Sequence, residues 1–173
     1  MRPTSDRARE ALFNLLENGR ASSEAGFTLA GSTVLDAFCG SGALGLEALS
    51  RGAGFVTFVD VDKVALAAAR ANAEKLGVAG RCAFLRADAS ALARAPRAHA
   101  LSFLDPPYGK GLVVPALARL AARGWLAEGA VCVDERGTGE SALELPPEFV
   151  ALDSRRYGAA LIDFLHYPGR RAA

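Results

Sequence analysis

Asp105-Pro106-Pro107-Tyr108 closes an apolar run, Leu101-Ser102-Phe103-Leu104. Each proline fixes a φ angle and removes an N–H donor, so the carbonyls of Asp105 and Pro106 stand open to a donor from outside the chain. A carboxylate and open carbonyls beside an aromatic ring suit an amino group on a flat heterocycle. The local alternative is that Asp105 caps the following turn and Tyr108 packs.

A second constellation lies upstream. Val34-Leu35-Asp36-Ala37-Phe38-Cys39-Gly40-Ser41-Gly42-Ala43-Leu44-Gly45 passes from an apolar run into a helical pattern, with glycines where backbone must approach a ligand closely. A helix beginning there offers unpaired N–H groups and a positive dipole end. Gly40, Gly42 and Gly45 also satisfy a dinucleotide fingerprint, and Asp60 follows at the spacing of a ribose-binding acid. Asp60 therefore fits a nicotinamide dinucleotide or any other adenosine cofactor. Asp36 separates the two: an acid before the turn opposes an anionic pyrophosphate but can hold an ammonium group. Asp88 is placed to accept from an adenine amino group. Each acid also has a local use, Asp36 in its own turn, Asp60 or Asp62 capping the next helix, and Asp88 opening a short helix. Cys39 reads as a small buried filler, with no histidine near it in sequence.

Elements must place these turns. Residues 4–17 form an amphipathic pattern that Thr4 or Ser5 can cap, with Ala8, Leu12, Leu15 and Leu16 on one face and Asn18-Gly19 as its stop. Residues 19–32 read as a connector. Strands are then predicted at 33–38, 55–59, 81–85, 100–104 and 130–134, with helices at 43–51, 63–76, 89–93 and 112–123 between them, which describes a parallel α/β sheet. Both constellations fall at strand C-terminal ends, where open α/β sheets bind ligands. Two β-like runs, 149–156 and 159–167, are separated only by Tyr157-Gly158, too little for a crossover helix. They predict an antiparallel hairpin. The whole chain reads as one domain, with residues 1–32 as N-terminal helix and connector and 33–167 as catalytic core.

The chain has 173 residues, 51% of them hydrophobic, enough for a buried core. Its formal net charge of +1 means that any nucleic-acid affinity comes from local arginines and not from a global field. Three dispersed cysteines and two histidines argue against a zinc site or a disulfide framework and fit a reducing cytoplasm. No apolar stretch reaches the roughly 18 residues of a membrane helix.

A parallel sheet ended by an antiparallel hairpin resembles the class I S-adenosylmethionine-dependent methyltransferase fold, seven-stranded and mostly parallel. Arg2-Pro3-Thr4-Ser5-Asp6-Arg7-Ala8-Arg9-Glu10, the glycine loop followed by Leu46-Glu47-Ala48-Leu49-Ser50-Arg51-Gly52, and Asp105-Pro106-Pro107-Tyr108 together resemble the bacterial 16S ribosomal RNA (guanine-966)-N2-methyltransferase family, RNA methyltransferase D. The resemblance implies that Asp36, Phe38, Gly40, Ser41, Gly42, Asp60, Val61, Asp88 and Ala89 hold S-adenosylmethionine and that Asp105, Pro106, Pro107 and Tyr108 are catalytic. It implies a substrate of 16S ribosomal RNA or the small ribosomal subunit particle, and a monomer without metal or membrane. Arg2, Arg7, Arg9 and Lys110 are candidates for phosphate contacts, whereas Arg155, Arg156, Arg170 and Arg171 read as surface charges. Asp60 stands where the family commonly has glutamate, and Cys39 where alanine is frequent. Relatives usually carry a short basic β segment before the Arg-Pro-Thr motif, so either a further segment or weaker RNA docking is expected here. The alternatives are an amino-methyltransferase for another RNA or for DNA adenine, a nicotinamide-dependent oxidoreductase, and a noncatalytic RNA-binding factor.

Overall fold

Ser5 caps the first helix: its Oγ accepts the Ala8 N–H at 3.2 Å, and α1 (Asp6–Asn18) runs until the Gly19 N–H returns to the Leu15 carbonyl at 2.7 Å. The computed structural model describes residues 5–170, so Arg2, Thr4 and Arg171 lie outside the described residues. The predicted connector contains a short helix, α2 (Arg20–Ala25), ended by Gly26 at φ 68°. Small polar residues over six positions give no apolar periodicity, which hid it from the sequence pattern.

The alternation follows: β1 (Thr33–Asp36), α3 (Ala43–Ser50), β2 (Phe55–Asp60), α4 (Lys63–Lys75), β3 (Cys82–Arg86), β4 (His99–Leu104), α5 (Val113–Ala122) and β5 (Leu126–Gly137). The hairpin is β6 (Val150–Tyr157) and β7 (Ala160–Tyr167). The seven strands lie in the order β3-β2-β1-β4-β5-β7-β6, parallel from β3 to β5, with β7 antiparallel to β5 and β6 antiparallel to β7. Most bounds shift by a residue or two from expectation, among them those of β1, the 89–93 helix and, by more, β5. β1 ends at Asp36, although the Ala37 N–H still reaches the Phe103 carbonyl at 3.0 Å. The predicted helix at 89–93 is a single 3₁₀ turn, Ala89–Ala91. β5 is twelve residues long and extends past the predicted 130–134 at both ends.

Side chains alternate across the sheet and so divide the core in two. Val34, Val56, Phe58, Leu101, Phe103, Val133 and Phe164 face one side with residues of α1, α3 and α4. Leu35, Val59, Leu104, Cys132 and Leu165 face the other with α5. Phe13 of α1 lies with its ring centroid 5.6 Å from that of Phe103, so α1 covers the half of the sheet that α3 and α4 leave open. Burying such a ring contributes about 1.5–3 kcal/mol. Arg51, just after α3, ties the two together: it pairs with Glu47 at 2.8 Å and Glu17 at 3.0 Å, and stands 5.2 Å from the Phe13 ring.

Candidate active site

The strand order places the chemistry. Successive crossovers carry the chain outward from β1 to β3 and then back across to β4, so β1 and β4 are neighbours whose following turns diverge. Such a switch point opens a crevice at the strands' C-terminal ends. Asp36 pairs in register with Phe103, so the glycine loop and Asp105-Pro106-Pro107-Tyr108 begin side by side at the same edge.

The glycine loop is held on several sides. The Cys39 N–H donates to the Val59 carbonyl at 2.9 Å, and the Asn72 side chain on α4 donates to the Ser41 carbonyl at 3.0 Å. Gly40 at φ 52° and Gly42 at φ 88° occupy the left-handed region that side chains disfavour. Gly42 stands at the cap of α3 without a side-chain bond, so the N–H groups of Ala43 and Leu44 at the helix start are left for a ligand, while that of Gly45 turns to Asp36.

Asp36, 1% exposed, accepts the Gly45 N–H at 3.0 Å through Oδ2. Burial pushes its carboxyl up to about 7; the Gly45 N–H offsets part of that rise, and the charge of Asp60 adds to it. Asp60, half-buried at the end of β2, accepts from Gly40 N–H at 2.9 Å and Asp62 N–H at 2.9 Å. Asp62 caps α4 through the Val64 N–H at 2.8 Å, and Val61 between the two acids is exposed. Asp88 Oδ1 accepts from the Ser90 N–H at 2.8 Å and hydroxyl at 2.7 Å, which hold its carboxyl below the usual range. The local uses of the acids are therefore present, and all three acids also stand at the same sheet edge. Phe38 is half-buried in the loop, Ser41 is exposed, and Ala89 is buried beneath Asp88. Cys39 is buried, and burial pushes its thiol well up, away from any nucleophilic form.

Across the crevice Asp105 is half-buried, Pro106 buried and Pro107 exposed. Tyr108 is 40% exposed, and its hydroxyl donates to Glu135 Oε1 at 2.5 Å. Partial burial and that bond push the phenol well up, so the hydroxyl stays protonated. Glu140 braces the same loop: its Oε1 accepts the Gly109 N–H and the Gly137 N–H, both at 3.2 Å. Glu135 and Glu140 escaped the sequence reading. The register that sets Leu104 against Asp134 also brings Glu135 beside the loop, so an acid ending the strand next to β4 was the signal available. Lys110 is exposed beside this loop.

This sheet order, terminal hairpin and glycine loop define the class I S-adenosylmethionine-dependent methyltransferase fold. The model of the family described as Conserved hypothetical protein 95 matches residues 1–166, and the chain belongs to that family. Ribosomal RNA small subunit methyltransferase D of Escherichia coli is 38% identical over 132 residues, 76% of this chain and 62% of that protein. The protein of the same name from Haemophilus influenzae is 35% identical over 130 residues, 73% of this chain and 63% of its own. The chain thus spans less than two thirds of the length of these relatives. Among solved structures, the Escherichia coli protein yhhF superposes with a TM-score of 0.81 at 30% identity, over 98% of this chain and 89% of that one. TrmN from Thermus thermophilus gives 0.71 at 26% identity, over 92% of this chain and 48% of its own. No helix among the described residues is long and apolar enough to cross a membrane, and no group of three or more His, Cys, Asp or Glu side chains there is arranged to hold a metal ion.

Proposed function

We propose that the chain methylates the exocyclic N2 amino group of a guanine in 16S ribosomal RNA, guanine 966, with S-adenosylmethionine as donor. One observation carries the reading: the glycine loop with Asp36 and Asp60, and the turn with Asp105 and Tyr108, leave adjacent parallel strands at one edge, with Asp36 in register with Phe103. One small molecule can touch both. The name shared by the bacterial relatives supports the RNA substrate.

The donor set suits the methyl donor. A buried carboxylate at Asp36 matches an ammonium group, the N-terminus of α3 a carboxylate, and Asp60 a pair of ribose hydroxyls. Asp88 and Ala89 would border the adenine, with Phe38, Ser41 and Val61 closing the loop side. When bound, S-adenosylmethionine supplies a methyl group on a sulfonium sulfur, a leaving group already activated. Alignment is then the protein's main task, and positioning can supply about 7–11 kcal/mol.

The target nitrogen is a poor nucleophile because its lone pair is delocalised into the ring. Its two N–H groups donate to the Asp105 carboxylate and the Pro106 carbonyl, which turns the lone pair toward the methyl. Asp105 need not be a strong base: after transfer the nitrogen is cationic and acidic, and its proton leaves to Asp105 or through it to water. The cavity behind Tyr108, lined by Pro106, Leu112, Val113 and Glu135, holds only about 60 Å³, room for about two waters, so the base lies on the ring's open side. Glu135 holds the ring there by its hydroxyl, and Glu140 holds the loop that follows it. To reach this edge the guanine is unstacked from its neighbours.

The test is transfer of labelled methyl to undermethylated small-subunit RNA or particles, followed by nucleoside analysis. N2-methylguanosine is expected. Label on adenine N6 would move the chain to the other amino-methyltransferases, and absence of label would overturn the activity.

A further inference from the structure

Away from the crevice, α1 and the tip of the β6–β7 hairpin enclose an open cavity of about 660 Å³. We propose that this groove seats the RNA strand flanking the target guanine, with Arg7 and Arg156 on phosphates and Tyr157 against a base. The inference rests on the methyltransferase reading above and adds to it where the strand runs.

Of the arginines around the groove, Arg9 is spent on Asp6 at 2.7 Å and Arg155 on Asp153 at 2.8 Å. The Arg7 side chain, exposed on α1, has no hydrogen bond or ion pair with any described residue. Arg156 uses Nε to reach the Gly158 carbonyl at 3.2 Å, one of five N–H groups, so the bond braces the guanidinium at the turn and leaves it charged toward solvent. Tyr157 lines the same groove, half-buried against the core. Exposed guanidinium groups flanking an aromatic ring match a single strand, which offers phosphates at its edge and flat bases between them. Glu10 and Asn14 line the remaining flank, where a carboxylate and an amide suit base edges better than phosphates. A chain with net charge +1 has no global field to hold RNA, so affinity must be concentrated at such a place.

The groove lies within a short reach of the reacting edge. Tyr157 pairs with Ala160, Ala160 pairs with Gly137, and a Cβ added at Gly137 would meet the Tyr108 ring at 3.7 Å. Two strand spacings separate Tyr157 from Gly137, about 10 Å. At about 3.4 Å per stacked nucleotide, a strand leaving the target base arrives there within roughly three nucleotides.

Arg7→Gln and Arg156→Gln, singly and together, test this by RNA binding across a salt series, with S-adenosylhomocysteine affinity as the control for an intact fold. We expect the slope of log affinity against log salt to fall by about 0.7 for each phosphate no longer neutralised, the double variant to bind roughly tenfold more weakly at 0.15 M salt, and cofactor affinity to hold. A double variant with the affinity and salt slope of the unaltered protein, which itself methylates RNA, would overturn the groove alone. Weaker binding to assembled particles with an unchanged slope on naked RNA would place a ribosomal protein there instead, also overturning it. Unaltered protein that transfers no methyl would remove both the activity and this inference.

Discussion

Asp36 and Asp105 stand at the ends of adjacent parallel strands, at one edge of the sheet. With a folded value of about 7, Asp36 is partly protonated at neutral pH, and an ammonium group held against it favours the ionised form. Binding then releases a proton below that value. The affinity for S-adenosylhomocysteine, which carries the same amino-acid tail, is expected to strengthen as pH rises from 6 to 8 and to level off above; calorimetry on Asp36→Asn should show that rise abolished. A flat profile in the unaltered protein would take the ammonium away from Asp36. If Asp105 accepts from the target amino group as proposed, Asp105→Ala should lower turnover by about a hundredfold or more and leave S-adenosylhomocysteine affinity unchanged. Near-normal turnover would remove Asp105 from the chemistry. Asp105 and the glycine-loop acids were legible because each ends a strand in a short, unusual motif. Glu135 was not: its bond to Tyr108 joins residues 27 apart, and only the pairing of β4 with β5 brings them together.

Among the elements, α3 is set close against β2. A Cβ at Gly45 would stand 2.4 Å from Phe58 Cε1 and 2.8 Å from Val56 Cγ1, both on β2. Neither atom can yield without disturbing buried packing, since Phe58 is itself stacked on Phe84 at 5.2 Å. Gly45→Ala should therefore cost about 1–3 kcal/mol and lower Tm by several degrees, and because the Gly45 N–H holds Asp36, cofactor affinity should fall with it. A thermal melt with and without S-adenosylhomocysteine measures both. At this scale the sequence carried most of the fold: apolar runs alternating with helical patterns, and Tyr157-Gly158 too short for a crossover, predicted the parallel sheet and its hairpin. β5 exceeded its apolar run because β4 pairs with Leu126 ahead of a register shift that spans Glu128 and Gly129, and β7 alone carries the pairing on through Glu135 to Gly137 at the other end.

Three buried titratable groups shape the stability of the whole molecule. His99, fully buried, lies 3.0 Å through Nδ1 from the Trp125 carbonyl, which can only accept, so Nδ1 carries the proton and Nε2 accepts from the Thr57 hydroxyl at 2.9 Å. Burial holds it neutral, down to about 4. Its contribution is whole above about 6.5, the unfolded value, and is lost as pH falls toward 4. Asp134 behaves oppositely. Burial first, and then the charge of Asp163 opposite it on β7, push its carboxyl up to about 8, against the pull of Arg136, which pairs with Asp163 at 2.7 Å. A raised acid binds its proton more tightly folded than unfolded, so its contribution is complete at low pH and is lost as pH climbs from about 4 through 8. Asp36 acts in the same direction to about 7. Above 6.5 only the acids remain, and Tm is expected to decline between pH 6.5 and 8.5; Asp134→Asn should flatten that decline. An equal slope in the variant would deny Asp134 its raised value. None of this was readable from the sequence, where an acid on a strand looks alike whether it meets water or another carboxylate.

The strand order has an evolutionary corollary. Because the gap between β1 and β4 arises from two crossovers leaving in opposite directions, no side chain has to excavate it. Repacking the helices would shift both walls together and keep the span across them. Under the proposed activity, changes of preferred nucleobase should then accumulate in the loops that overhang the gap, while the sheet beneath drifts.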